Sequence, residues 1–229
     1  MNATYVVTWK LTREQVGLTF RALTFMRTLL SGQLSLEKLP LVLRKQPELQ
    51  AAKLTQALAE VNTLLFPADK PVGADKDIWP TLDSLWWLGK QFLFIRATRD
   101  TAFTTLQEPE LRVVADALEA YSRFLAGQVY YLDWPIELRS RIIEQEHKLR
   151  HSFPKLGLLL YPTLSPGEQR GIQWDPDDEI SREVVRSYEL YKTLLKFDMN
   201  HRQVHNTHSG PVLHQSDWPL AKVYLVTDL

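Results

Sequence analysis

A chain of 229 residues, 45% hydrophobic and 24% charged, has the make-up of an ordinary globular protein with a sizeable core, which excludes global disorder. Its 27 Lys and Arg balance 27 Asp and Glu, so there is no electrostatic footprint for duplex nucleic acid or an anionic membrane surface. The absence of cysteine excludes disulfides, thiolate metal sites and cysteine nucleophiles, and no apolar run reaches the roughly 18–20 residues that span a bilayer.

The first ten residues lack the basic-then-apolar layout of a signal peptide, and the expectation is a soluble, cytoplasmic protein. Tyr5–Leu11 alternates apolar and polar residues and reads as a strand. Thr12, with Gln15 three residues on, caps a helix in which Val16, Phe20, Leu23, Leu30 and Leu34 keep helical spacing. Gly32 stands where that helix end wants a residue tolerant of positive φ. A second helix over Pro47–Leu65 sets Leu54, Leu58, Val61 and Leu65 on one face. Pro67–Asp77 reads as a loop, and a third helix covers Pro80–Arg96, although Phe92–Ala97 also has the propensity of a strand.

The pattern then recurs. Leu111, Ala115, Leu118, Leu125 and Val129 repeat the first helix, Gly127 its end, and Ile136–Leu149 the second helix, with Glu144 and Lys148 as an i,i+4 pair. Pro154 predicts a kink or an end there, and Pro162–Pro176 a loop. A last helix over Asp177–Phe197 opens on acids that suit its positive end, and Lys222–Asp228 alternates like a strand. Two lone terminal strands each need a partner, and the simplest pairing is antiparallel with one another.

Sliding the chain by 95 positions makes this recurrence quantitative. From Leu11 to Trp79, 17 of 69 positions are identical without a gap, where unrelated stretches of ordinary composition match at about 4. The expected fold is therefore mainly α with a minor α+β element: two helical units of about 95 residues related by a pseudo-two-fold axis, closed by the paired terminal strands. The units fall at 1–103 and 104–200, followed by a His-rich linker and strand at 201–229. Residues 1–103 carry +4 and the remainder −4, a weak electrostatic reason for the halves to dock.

Three sets of residues carry candidate chemistry. His201, His205 and His208 share one face of a continuing helix and present three imidazoles to zinc or another transition metal, with Asp198 or Asp217 as a further ligand. A solvated linker accounts for the same residues, because Asn206, Ser209, Gly210 and Pro211 end a helix. The second set is polar and shared by both units: Arg44 with Arg139, Gln50 with Gln145, Lys53 with Lys148, and Trp79 with Trp174. Arginine and lysine bind anionic oxygens and tryptophan stacks, so the set suits a nucleotide-like or doubly anionic ligand. The same side chains also serve to hold helix ends and pair neighbouring acids. The third set is aromatic: Trp79, Trp86 and Trp87, then Tyr130, Tyr131 and Trp134. Such residues belong in a core; a partly exposed tryptophan pair marks a partner surface instead.

Arg141 with His147 and Arg202 with His208 carry an Arg–His spacing that some helical ribonucleases use, but 15 Arg and six His produce such pairs by chance. Asp175–Glu179 lacks the ligand spacing and central glycine of a calcium loop, and no phosphate loop, nucleophile elbow or zinc-protease motif occurs. The expectation is a non-enzymatic binding protein that recognises a small anionic ligand or a protein partner through a pseudo-symmetric helical surface, with no membrane and no duplex nucleic acid among its partners. The alternatives are a metal-dependent hydrolase or nuclease built on His201, His205 and His208, and a protein-directed inhibitor such as a toxin neutraliser or a phage counter-defence factor.

Overall fold

The N-terminal alternation folds as β1 (Tyr5–Thr12), and the chain passes without a loop into α1 (Arg13–Leu30). The computed structural model describes residues 5–45, 50–68, 78–98, 100–127, 177–206 and 221–225, together with Lys148, Ser152, Leu156 and Leu159. After α1 come a 3-10 turn (Leu36–Lys38), α2 (Leu41–Arg44), α3 (Ala51–Leu65) and α4 (Trp79–Thr98). Then follow β2 (Thr101–Gln107), α5 (Glu108–Leu125), α6 (Glu179–Asn206) and β3 (Ala221–Leu225). The chain is mainly helical with one small antiparallel sheet.

The expected pairing of the terminal strands is present: β1 and β3 run antiparallel from Tyr5 opposite Leu225 to Trp9 opposite Ala221. The two-stranded ribbon needs correcting, however, because the other edge of β1 takes β2, from Val6 opposite Gln107 to Thr12 opposite Thr101. The order is β2-β1-β3. One sheet face buries Val7, Trp9 and Leu11 of β1 with Ala102, Thr104 and Leu106 of β2, while Lys10, Thr12, Thr101, Phe103, Thr105 and Gln107 face outward. Period-two side-chain alternation makes that division automatic once the register is set.

Both strand-to-helix junctions are capped. The Gln15 amide N–H donates to Thr12 Oγ1 at 3.2 Å, and the Thr12 N–H donates to Gln15 Oε1 at 2.9 Å, as the Thr–Gln spacing predicts. At the second junction the Gln107 N–H donates to Glu110 Oε2 at 2.8 Å. Such boxes satisfy amide donors that a helix start leaves open. α1 packs against α4 on one side and α5 on the other, and α5 packs against α6. α3 buries Leu54, Leu58, Val61 and Leu65, the four positions its periodicity selects.

Several boundaries differ from expectation. The helix expected over Pro47–Leu65 is observed from Ala51, with Gln50 as its N-cap residue. The helix expected over Pro80–Arg96 is present as Trp79–Thr98, and the strand alternative for Phe92–Ala97 falls because that segment continues α4 and buries Phe92 in the common core. The last helix runs to Asn206, well past Phe197. Lys148 and Ser152 before Pro154, and Leu156 and Leu159 after it, are all helical; Pro154 itself lies outside the described residues. Ser152 Oγ donates to Glu60 Oε1 at 2.6 Å and so ties that region to α3.

Beyond α1 the chain turns at Gly32, whose φ of 64° lies in the left-handed region. A Cβ there would sit 2.5 Å from Cδ2 of Phe66, so the position is closed both sterically and conformationally. Asn62 of α3 then brackets the next strand-like residue: Leu34 N–H donates to its Oδ1 at 3.2 Å, and its Nδ2 donates to Leu34 O at 2.6 Å. Gly32→Ala is expected to lower the unfolding free energy by about 1–3 kcal/mol. Gly89→Ala in α4, where an added Cβ meets nothing within 4 Å, is expected to leave stability unchanged or raise it by up to about 1 kcal/mol. Urea unfolding of both variants measures the contrast.

Candidate functional site

The site emerges from an anomaly in α4. A helix on a protein surface has one apolar face, but Trp-Pro-Thr-Leu-Asp-Ser-Leu-Trp-Trp-Leu-Gly-Lys-Gln-Phe-Leu-Phe is apolar nearly all round. Pro80 in the first turn suits a helix start, and no later proline interrupts the ladder. Leu82, Leu85, Leu88 and Phe92 point into the core, buried to 8% exposure or less. The opposite side stays in solvent: Trp79 is 52% exposed, Trp86 37%, Trp87 60%, Leu93 48% and Phe94 68%. At roughly 100° per residue, these positions with Asp83 and Lys90 fall within a stripe about 120° wide.

Of the two readings of Trp79, Trp86 and Trp87, a place in the core is the one these exposures exclude. α4 has only one face to give to α1, and its sequence supplies apolar residues for two. The Trp86 and Trp87 rings meet edge-to-face, 4.7 Å between centroids at 84°. Lys90 Nζ lies 3.4 Å from the Trp86 centroid and 5.6 Å from that of Trp87, one helical turn along. A cation over an indole face is favourable, and the lysine stem lies along apolar surface while its charge reaches solvent. With about 200 Å² per aromatic side chain and about half of it exposed, the stripe presents on the order of 500 Å². That is near the upper end for the largest apolar patch on a monomer, roughly 300–600 Å².

A polar cluster lies where α1, α5 and α6 meet. Arg21 Nε of α1 donates to Glu183 Oε1 of α6 at 2.7 Å, and the Tyr121 hydroxyl of α5 donates to the same oxygen. The Glu183 side chain is 11% exposed. Burial, and next the Glu183 carboxylate, push the Tyr121 hydroxyl well above the usual tyrosine range. Nearby on α6, burial followed by the Glu119 carboxylate raises Tyr191 to about 12. Arg21, Tyr121 and Glu183 join three helices through one carboxylate oxygen that accepts two donors, so the chemistry of this cluster is that of a clamp rather than of an acid–base pair. Sequence reading missed it because its members come from residues 21, 121 and 183, with no local motif.

The residues singled out in the sequence fare differently. Arg44 ends α2, Gln50 caps α3 and Lys53 lies in its first turn, all exposed; Lys148 is helical and exposed. Next to Arg44, Lys45 Nζ pairs with Glu179 Oε2 at 3.9 Å. Arg139, Gln145 and Trp174 lie outside the described residues, as do Tyr130, Tyr131 and Trp134. His201 and His205 fall one turn apart near the end of α6, and His208 lies outside the described residues. Among the described residues no three His, Asp or Glu gather as a metal-ligand set, and no helix is long and apolar enough to cross a membrane. Comparison with protein-family models, with curated proteins and with solved structures finds no match.

Two outcomes follow from the clamp. Glu183→Ala strands the buried Tyr121 hydroxyl and leaves the half-exposed Arg21 guanidinium without this carboxylate, and is expected to cost about 1–3 kcal/mol of stability in urea unfolding, whereas the exposed pair Arg13–Asp100 is expected to contribute less than about 1 kcal/mol. The fold also holds Tyr121 and Tyr191 neutral. Their contribution is therefore complete below about pH 10, the ordinary tyrosine value, and is lost as pH rises towards the raised value of about 12 for Tyr191. Phenolate absorbance is expected to show late ionisation from these two tyrosines, with thermal stability falling over the same interval. Tyr121→Phe and Tyr191→Phe are expected each to remove part of both effects.

Proposed function

We propose that this chain is a non-enzymatic binding protein that docks a protein partner through the exposed aromatic face of α4. The observation that carries the reading is the stripe of Trp79, Trp86, Trp87, Leu93 and Phe94, left in solvent on a helix whose other face already fills the core. Tryptophan and other aromatics are the residues that anchor interfaces, and an apolar area on the order of 500 Å² supplies over half of the roughly 800 Å² that each side of a stable complex buries. A row repeating at three, four and seven residues fits an amphipathic helix laid alongside α4. Lys90, held over Trp86, selects an acidic residue on that partner helix.

The reading includes an internal duplication about a pseudo-two-fold axis. In its support, α1 and α5 begin and end 95 positions apart, at Arg13 and Glu108 and at Leu30 and Leu125. Gly32 and Gly127, also 95 apart, both take positive φ, 64° and 72°. In the β1–β2 ladder Trp9 lies opposite Thr104, its own 95-residue counterpart, which is the register that a two-fold axis between the strands requires. α1 packs on α4 as α5 packs on α6. Under the same correspondence the positions of Trp86, Trp87, Leu93 and Phe94 hold Ser181, Arg182, Tyr188 and Glu189. Trp79 keeps its counterpart in Trp174, but the Trp86–Trp87 pair and Phe94 have no aromatic counterpart in the second unit, so folding of the unit does not demand those three.

Recognition of a small anionic ligand by Arg44, Gln50, Lys53 and their counterparts, and metal-dependent hydrolysis through the histidines, have no comparable observation in their favour. The test is binding between purified proteins. A candidate partner, first retained by the immobilised full chain, is titrated calorimetrically against wild type and against Trp87→Ala/Phe94→Ala. Loss of about 2 kcal/mol or more of binding free energy is expected, with unfolding stability changed by less than about 0.5 kcal/mol because both side chains face solvent. Undiminished affinity in the variant overturns the assignment.

A further inference from the structure

Among the described residues β2 lies at the edge of the sheet, with β1 on one side and no strand on the other. Sheet edges are normally protected from pairing by lysines, prolines, bulges or a covering element. Thr101–Gln107 reads Thr-Ala-Phe-Thr-Thr-Leu-Gln, with no charge and no proline, and its ladder to β1 runs through seven consecutive pairs without a bulge. Threonine and phenylalanine favour extended backbone. Among the described residues β2 pairs with β1 alone, whereas β1 has both edges filled, by β2 and β3. On the outward face of the strand Phe103 is 65% exposed, and Lys10 from β1 reaches over its ring at 5.8 Å.

We propose that β2 pairs antiparallel with β2 of a second copy of this chain, joining two sheets into one of six strands in the order β3-β1-β2-β2-β1-β3. A two-fold axis perpendicular to the sheet lets one identical strand satisfy both open edges at once, and it closes the assembly at two copies. The same axis keeps faces matched. Ala102, Thr104 and Leu106 of both copies stay on the helix-covered side, where Gln91 Nε2 of α4 already donates to Thr104 Oγ1 at 2.7 Å. Thr101, Phe103 and Thr105 of both copies meet on the open side, where threonine and aromatic cross-strand pairs stabilise a ladder. An unrelated strand would have to match this alternation by chance; a second copy matches it by identity.

The experiment is sedimentation of the full chain with native mass measurement. Wild type is expected at twice the chain mass at tens of micromolar. Phe103→Lys/Thr105→Lys, which places like charges on the facing strands at solvent-exposed positions, is expected to be monomeric with unchanged circular dichroism and melting temperature. Trp87→Ala/Phe94→Ala on α4 is expected to stay dimeric, which separates this interface from the partner surface. Because the chain has no cysteine, a spin label on Phe103→Cys is unique, and a short interspin distance within the dimer is expected. A monomeric wild type, a dimer that survives the lysine pair, or a dimer dissolved by the α4 variant alone would each overturn the proposal.

Discussion

The structure depends on the antiparallel pairing of β1. This strand joins residues 101–107 on one side and 221–225 on the other, so one eight-residue segment gathers two distant parts of the chain to the N-terminal one. An exposed strand carries a row of unsatisfied amide and carbonyl groups, and pairing on both edges satisfies them. Because β1 runs straight into α1 and β2 into α5, the ladder register also determines where the two central helices begin. Trp9, 2% exposed in the middle of the ladder, is the apolar centre around which they close.

Above that sheet the helices are held chiefly by apolar packing, with one polar exception. Arg21, Tyr121 and Glu183 place a charged pair and a hydroxyl where α1, α5 and α6 meet. Apolar side chains of similar volume could stabilise the same junction equally well. What the cluster adds is geometry: one carboxylate oxygen accepts two donors only when three helices are in register. The exposed pair between Arg186 of α6 and Glu14 of α1 repeats the connection at the surface, where solvent screening leaves it weak.

The aromatic face of α4 departs from this economy. On the order of 500 Å² of apolar surface kept in water forgoes roughly 10 kcal/mol of burial that the fold could otherwise collect, at about 25 cal/mol per Å². Surfaces of that kind are maintained for association. The outer edge of β2, open among the described residues, is a separate feature, formed by backbone groups rather than side chains.

Much of the fold was legible from local pattern. Thr12 with Gln15, the glycine at 32, the buried face of α3 and the pairing of the termini rest on interactions within a few residues or on unpartnered strands, and all are present. β2 was missed although its signal existed, since Tyr5–Leu11 shifted by 95 positions falls on 100–106 and the segment alternates as β1 does. The candidate site was half legible: sequence located the tryptophans but left them between core and partner surface, because composition does not reveal which side of an all-round apolar helix faces a neighbour. By itself, then, the sequence determined α1, α3, α4, α5 and most of α6, the cap at Thr12, the turn at Gly32 and the strand at each terminus, all properties of short range; the helix expected over Ile136–Leu149 lies almost wholly outside the described residues. Only the tertiary structure decided that β1 is central, that Arg21, Tyr121 and Glu183 meet, and that Trp86 and Trp87 face water. Those outcomes depend on which surfaces are already occupied when the elements pack, and no stretch of chain carries that information alone.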